Sequence, residues 1–353
     1  MEQWDNRAML SSYNIHALPW DLAIFLLIGG GIMLEWYALK RWRIARVATD
    51  AKISRCLLLA LALFGQLLWL TIFYGSFIEP QVIVVTEAEI TTLPLKEDLN
   101  IVILSHFHVG PYKGRHFIQR VVEQVNALEP DLVLLAGDYV YLESDPTEDL
   151  APLKDLRARY GIFGVLGNHE YGCYRFSPLF RHSGIGEDRS LSVRRTLERV
   201  GVTVLRNEWR EVLLEGRKGS ESRKGKEVLY VSGVDDGCTA RENLATALPG
   251  LERKAPIILL SHTPDIILDG RSHAANLIVS GHTHGGQIRV PFIGPVTNLP
   301  TQLGRKYDQG LFPVDANATL AITRGIGESS PRARLFAPPE ILLLRAKREM
   351  QYH

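Results

Sequence analysis

The chain has 353 residues, with 40 Lys and Arg against 39 Asp and Glu, and three cysteines. That length accommodates one large α/β domain plus an appendage. The near-zero net charge excludes a partner such as a nucleic-acid polymer held by bulk positive charge. Cys56, Cys173 and Cys238, far apart and without a Cys-x-x-Cys pair, exclude a zinc ribbon or a disulfide framework.

Composition shifts over the first eighty residues. Cys56 to Phe77 runs without a charge, broken only by Gln66, and roughly 20 apolar residues cross a bilayer as a helix. An earlier run, Leu22 to Leu34, is bracketed by Asp21 and Glu35; it either spans, over about 20–39, or lies in the interface. Trp20, Trp36, Tyr37, Trp42, Trp69 and Tyr74 fall near the ends of these runs, as aromatic rings at a headgroup boundary do. Between the runs, Lys40, Arg41, Arg43, Arg46, Lys52 and Arg55 face only Asp50. The positive-inside tendency makes this a cytoplasmic loop and places everything after Phe77 outside. The long basic flank, an apolar run too long for an h-region and the lack of an Ala-x-Ala site directly after it argue against a cleaved signal peptide. The expectation is a membrane anchor over residues 1–79, with helices at about 20–39 and 56–77, and a folded domain over 80–353.

Within that domain, Glu79 to Asn100 is rich in Val, Ile and Thr with near alternation, predicting edge strands or a hairpin. Asn100 to Leu104 is a short apolar strand of the doubly buried kind, followed at once by Ser105-His106-Phe107-His108. Phe117 to Leu128 has helical spacing. Strand Asp131 to Ala136 ends in Gly137-Asp138; helix Asp149 to Tyr160 follows, then strand Gly161 to Leu166, ending in Gly167-Asn168-His169-Glu170. The aromatic and basic stretch Tyr171 to Arg189 reads as a lid or a packed surface loop. Leu191 to Val200 predicts a helix; Thr203 to Leu205, Glu211 to Glu215 and Val228 to Ser232 predict strands, with Gly216 to Lys226 as a solvated tip. Strand Ala255 to Leu260 ends in Ser261-His262, and Leu277 to Ser280 leads into Gly281-His282-Thr283-His284-Gly285-Gly286. Ala318 to Arg324 and Ile341 to Leu344 close the domain.

The polar residues collected at strand ends are His106, His108, Asp138, Asn168, His169, His262, His282 and His284. In open α/β sheets that edge is where ligands bind. Imidazole, carboxylate and amide oxygen together suit Mn, Fe or Zn better than Ca. One carboxylate among so many nitrogens suggests that Asp138 bridges two divalent ions. Such a pair clamps the attacking and leaving oxygens of an in-line displacement and makes a hydroxide nucleophile near neutral pH, chemistry suited to phosphoester hydrolysis.

In this order, His108 after a strand, Gly137-Asp138, Gly167-Asn168-His169-Glu170, His262 and Gly281-His282-Thr283-His284 resemble the calcineurin-like metallophosphoesterases. The likeness covers roughly residues 95 to 345, and the anchored layout, the Gly-His-Thr-His-Gly-Gly-Gln block and Gly325-Ile326-Gly327 resemble a membrane-associated bacterial branch. The resemblance implies an α/β fold, a four-layer αββα sandwich of two mixed β-sheets, preceded here by N-terminal transmembrane helices. It implies one metal at His106, His108, Asp138 and His284 and a second at Asp138, Asn168, His262 and His282. His169 would protonate the leaving oxygen or stabilise phosphoryl charge, and Glu170 would orient it. His106 stands where the family has Asp, removing an anionic ligand and disfavouring Mg further. Three readings follow: a phosphohydrolase in a bacterial inner membrane, its catalytic domain periplasmic and its substrate a small-molecule or lipid phosphoester; a catalytically degenerate metal-binding sensor; or a membrane scaffold whose histidines are structural. Asp235-Asp236 reads as a capped turn, and Arg289, Arg305, Tyr307 and Arg324 as structural rather than phosphate-gripping.

Overall fold

A computed structural model of the protein describes residues 18–45, 52–141, 148–175, 183–215, 227–248, 250, 255–329 and 331–348. The two apolar runs are helices, α1 (Leu18–Ala45) and α2 (Lys52–Phe73), each long and apolar enough to cross a membrane. They pack closely through glycine: a Cβ on Gly65 would lie 2.9 Å from both the Glu35 nitrogen and the Gly31 oxygen. Glu35, which falls inside α1, accepts a hydrogen bond from Trp69 Nε1 at 2.9 Å. A π-helical turn, Tyr74–Ile78, and a 3-10 turn, Glu79–Gln81, carry the chain from α2 into the domain.

The domain holds two six-stranded sheets. The first comprises β1 (Val84–Ile90), β2 (Leu99–Leu104), β3 (Leu132–Ala136), β4 (Ile162–Val165), β7 (Thr203–Val204) and β16 (Glu340–Ala346), in the order β1-β16-β2-β3-β4-β7. Only β16 and β2 pair antiparallel in it. The second comprises β8 (Glu208–Leu214), β9 (Glu227–Gly233), β10 (Ile257–Leu260), β11 (Leu277–Ser280), β14 (Gly310–Asp315) and β15 (Ala318–Ile322), ordered β14-β15-β11-β10-β9-β8 with antiparallel outer pairs. Two small hairpins, β5 (Cys173–Arg175) with β6 (Ser183–Ile185) and β12 (Arg289–Val290) with β13 (Gly294–Pro295), stand apart.

The apolar runs of β2 and β3 are explained by burial on both faces. Ile101, Ile103, Leu132 and Leu134 join Val231, Ile258 and Val279 between the sheets. Their alternate neighbours, Val102, Leu104, Val133 and Leu135, meet Phe117, Val121 and Val125 of α3 (Arg115–Ala127) and Val193 and Leu197 of α4 (Ser190–Arg199). A third cluster covers the far side of the second sheet, where Leu244 of α5 (Leu244–Ala247) and Ile266 of a 3-10 turn pack on Leu259 and Ile278. The result is the expected αββα sandwich.

Three local expectations change. The stretch 79–100 gives one edge strand, β1, parallel to β16, rather than a hairpin. The helix expected over 149–160 is only a 3-10 turn, Ala151–Asp155. Pro152 stands in its first turn, and beyond it the Arg159 and Tyr160 amides are drawn to the carbonyls of Pro130 and Asp131. The stretch 171–189 contains the β5-β6 hairpin; its residues 176–182, like the tip 216–226, lie outside the described residues.

Replacing Gly65 by Leu should lower the melting temperature of the detergent-solubilised chain, since overpacking a tight contact costs about 1–3 kcal/mol. Gly29→Leu, where an added Cβ meets nothing within 4 Å, should leave it unchanged, and thermal denaturation of the two variants compares them directly.

Candidate metal centre

The C-terminal ends of β2, β3, β4, β10 and β11 converge, so both sheets deliver polar residues to one place. His106, His108, Asp138, His282 and His284 all have positive φ, from 42° to 67°. L residues hold such a backbone only where surrounding contacts compensate. Those contacts are present. The amides of His106 and His108 donate to the carbonyls of Gly137 and Asp138, and the Gly281 amide to the carbonyl of His262.

Glu170 is a further brace. Its buried carboxylate accepts from the backbone amides of Asp138 at 3.1 Å, Tyr139 at 2.7 Å, Val140 at 3.2 Å and Gly167 at 2.8 Å. Burial and then Asp138 push this carboxyl up, to about 8, while the amides pull the other way. Four converging donors satisfy a carboxylate and offer nothing to a carboxylic proton. Glu170 therefore ties the exit of β3 to the exit of β4 and shapes the turn bearing His169 through the backbone.

The ligand-type atoms form two groups that share Asp138. His106, His108, Asp138 and His284 form one, Asp138, His262 and His282 the other, with the atoms in each group within 4.8 Å of one another. Asp138 Oδ2 lies 3.7 Å from the Nε2 atoms of both His106 and His108 and 3.3 Å from His262 Nε2. Asn168 completes the second group with its Oδ1 3.1 Å from His262 Nε2, while its Nδ2 donates to the Cys173 carbonyl at 2.6 Å.

The outer contacts set the ring tautomers. His262 Nδ1 meets the Ala136 carbonyl at 2.7 Å and His108 Nδ1 the Val140 carbonyl at 3.3 Å, so each ring carries a proton there and turns its Nε2 inward. His106 Nδ1 meets Ser105 Oγ at 2.8 Å, and its buried Nε2 has no hydrogen-bond partner. Burial holds the His106 and His284 imidazoles well below their ordinary range and takes His108 down to about 3. Burial also lowers His262, but the Asp138 carboxylate, helped by Asp236 and the Ala136 carbonyl, carries this ring up to about 9. Buried imidazoles aimed at one carboxylate, one with an orphaned nitrogen, fit divalent transition metals in both groups.

His169 packs edge-on against His108 with ring centroids 4.4 Å apart, and burial lowers its imidazole. Beside the second group a cavity of about 1010 Å³ opens, bordered by Asn168, Cys173, Cys238, Glu242, Arg271 and His282.

Cys238, whose Sγ is 3.5 Å from His282 Nε2, carries no motif and was not legible in the sequence. The role of Gly325 was equally hidden: at φ 72° its missing Cβ leaves room for His106, whose Cβ would otherwise stand 2.7 Å away. Asp236 caps a turn by accepting from the amides of Cys238 and Thr239. The candidate phosphate grips are engaged elsewhere, Arg289 with Asp308 and Arg324 with Glu340.

Fold and site together define an α/β sandwich protein built around a histidine-rich metal centre at its strand ends. The sequence model of the calcineurin-like phosphoesterase matches residues 99–286, and the chain belongs to that family. A transmembrane protein with a metallophosphoesterase domain from Bos taurus is 30% identical over 91% of this chain and 70% of its own length. A Helicobacter pylori metallophosphoesterase is 32% identical over 77% of this chain, which spans only 65% of that relative. A UDP-2,3-diacylglucosamine pyrophosphatase of Chlamydia muridarum is 27% identical over 78% of this chain and 93% of its own length.

Adding Mn or Zn to metal-stripped protein should raise its melting temperature, by the equivalent of about 2.7 kcal/mol at a hundredfold excess over Kd. Asp138→Ala, which removes the carboxylate common to both groups, should abolish the rise. Because His262 holds a proton up to about pH 9, metal uptake displaces it, so affinity should weaken as pH falls. Titration calorimetry in buffers of different ionisation enthalpy reads the released proton.

Proposed function

We propose that this protein is a membrane-anchored phosphohydrolase that uses two divalent metals to cleave phosphoester or pyrophosphate bonds. The observation that carries the proposal is the single Asp138 oxygen that faces histidines of both groups. His106, His108, Asp138 and His284 would hold one ion, and Asp138, Asn168, His262 and His282 the other. Mn, Fe or Zn suit this imidazole-rich set better than Mg. When bound, the pair supplies Lewis acidity to the entering and leaving oxygens of a displacement at phosphorus. Asp138, held anionic by its histidine neighbours against the upward pull of burial, supplies the negative charge that keeps two cations together. His169, neutral at pH 7 because burial lowers it, donates a hydrogen bond to a phosphoryl or leaving oxygen.

We further propose that residues 1–79 are the anchor and 80–353 the catalytic domain, on the periplasmic side of a bacterial inner membrane. The basic residues in the last turns of α1 and the first turn of α2 support that orientation. A lipid-linked substrate is favoured by the path from site to anchor. His108 contacts Tyr141 at 6.1 Å between centroids, Tyr141 contacts Tyr112 at 5.7 Å, and the Tyr112 hydroxyl donates to Asp21 of α1 at 3.3 Å. The Chlamydia relative, named for a lipid pyrophosphate, agrees with this choice. His106 in the family's Asp position motivates the second reading, a metal-binding sensor.

Full-length protein in detergent should hydrolyse bis(p-nitrophenyl) phosphate only after Mn is restored. His169→Ala should lower kcat about 10²–10³-fold, the usual effect of losing one hydrogen bond to charge developing in the transition state, with metal content unchanged, and Asp138→Ala should lose both. Metal retained without turnover on any phosphomonoester, diester or lipid pyrophosphate would select the sensor. Good turnover of soluble esters with poor turnover of lipid pyrophosphates would remove the lipid assignment.

A reporter active only in the cytoplasm, fused after His353, is expected to stay silent; a signal there would reverse the orientation.

A further inference from the structure

The β12-β13 hairpin ends in Pro291-Phe292-Ile293, and among the described residues none covers this tip. Phe292 is fully exposed and Ile293 is 72% exposed, with Val290 and Val296 also outward. Phe292 has φ 67°, a conformation a bulky residue adopts only under constraint. Phe336, 56% exposed, faces the tip across a groove of about 510 Å³ that Arg305 and Lys306 also line. Asp308, the acidic residue of that groove, is already paired with Arg289, so the exposed Arg305 and Lys306 leave the rim positive. Apolar side chains clustered at the surface and rimmed by charge mark a contact with a protein or a membrane.

The attachment of this hairpin selects the membrane. Ile288, just before β12, bridges to Leu335, and the Arg289 amide donates to the Leu335 carbonyl at 2.9 Å. The adjoining Arg334 amide donates to the Gly75 carbonyl at 2.8 Å. Gly75 lies in the turn that continues α2 out of its apolar run, and a Cβ there would stand 3.2 Å from the Arg334 oxygen. The hairpin therefore hangs from a segment bonded to the emerging membrane helix, whose own Phe73, Tyr74 and Ile78 face outward.

We propose that the 288–296 hairpin, with Phe336, is a second membrane contact that sinks its tip into the headgroup and acyl boundary of an anionic phospholipid bilayer, Arg305 and Lys306 meeting lipid phosphates. Such a tip combines buried apolar area with attraction to anionic lipid. The inference rests on α1 and α2 spanning the bilayer. Since the hairpin begins only a few residues beyond His284, this contact pins the metal centre at the membrane surface.

The test uses the full chain in nanodiscs of phosphatidylcholine, with or without phosphatidylglycerol, carrying photoreactive benzoylphenylalanine in place of Phe292, Leu67 or Leu213. Leu67 is a lipid-facing position of α2, and Leu213 is exposed on β8 at the sheet edge opposite the site. Lipid adducts are expected at 292 and 67 and not at 213. The adduct at 292 should fall several-fold without phosphatidylglycerol, and likewise in Arg305→Gln/Lys306→Gln. Adducts at 67 with none at 292 above the 213 level, or crosslinks from 292 to a second copy of the chain in place of lipid, would overturn the proposal. Absence of adducts at 67 as well would instead refute the spanning helices.

Discussion

The structure depends on one buried carboxylate. Asp138 lies at 2% exposure among His106, His108, His169 and His262, where an uncompensated anion would cost several kcal/mol. Its backbone is held in a left-handed conformation by the turn it occupies, and that turn is secured by the four amides gathered on Glu170. Two carboxylates thus divide the work: one fixes the backbone of the strand exits, the other faces the space the imidazoles leave. His108 and His262 place an Nδ1 proton against an outer carbonyl, so their Nε2 atoms turn toward that space. The arrangement is costly for an apo protein and favourable for one that takes up cations.

The sandwich makes this collection possible. His106, His108, Asp138 and Asn168 follow strands of the first sheet, whereas His262, His282 and His284 follow strands of the second. Neither sheet contains either donor group by itself. Core packing between Ile101, Leu132, Ile258 and Val279 therefore sets the distance between the two halves of the centre. A core change that shifts the sheets is felt at the site, since close-packed interiors transmit displacement. The glycines at Gly281 and Gly325 allow the strand exits to approach within contact of Ser105 and His106, which no side chain would permit.

The membrane enters through contacts of the same kind. Tyr112 reaches Asp21, Arg332 lies over both Tyr112 and Phe77, and Glu79 accepts the Ala337 amide at 2.7 Å. The helical hairpin is thus fastened to loops that also border the metal centre. A buried Lys113–Glu328 pair lies at the same junction, where Lys113 also donates to the Pro80 carbonyl. In such a setting the geometry of the site and the lie of the domain on its bilayer are linked through only a few residues.

The sequence by itself determined the class of fold and singled out the polar residues that the structure gathers at its strand ends, because both are written in short-range pattern. Apolar runs of strand length each stop at a His, Asp or Asn next to Gly, and uncharged runs of helix length precede them. It also showed that Asp138 alone supplied a carboxylate to many imidazoles. Only the tertiary structure decided which oxygen of Asp138 faces both groups, which ring nitrogen His108 and His262 turn inward, and that the Glu170 carboxylate gathers four backbone amides. It also decided that the segment after Leu150 breaks into a 3-10 turn and that Phe292 is left uncovered. These depend on pairing between segments distant in the chain: β11 must lie beside β10 and face β3 before His282 and His284 can meet Asp138. Hydrophobic periodicity reports which face of an element is buried, and not which partner buries it.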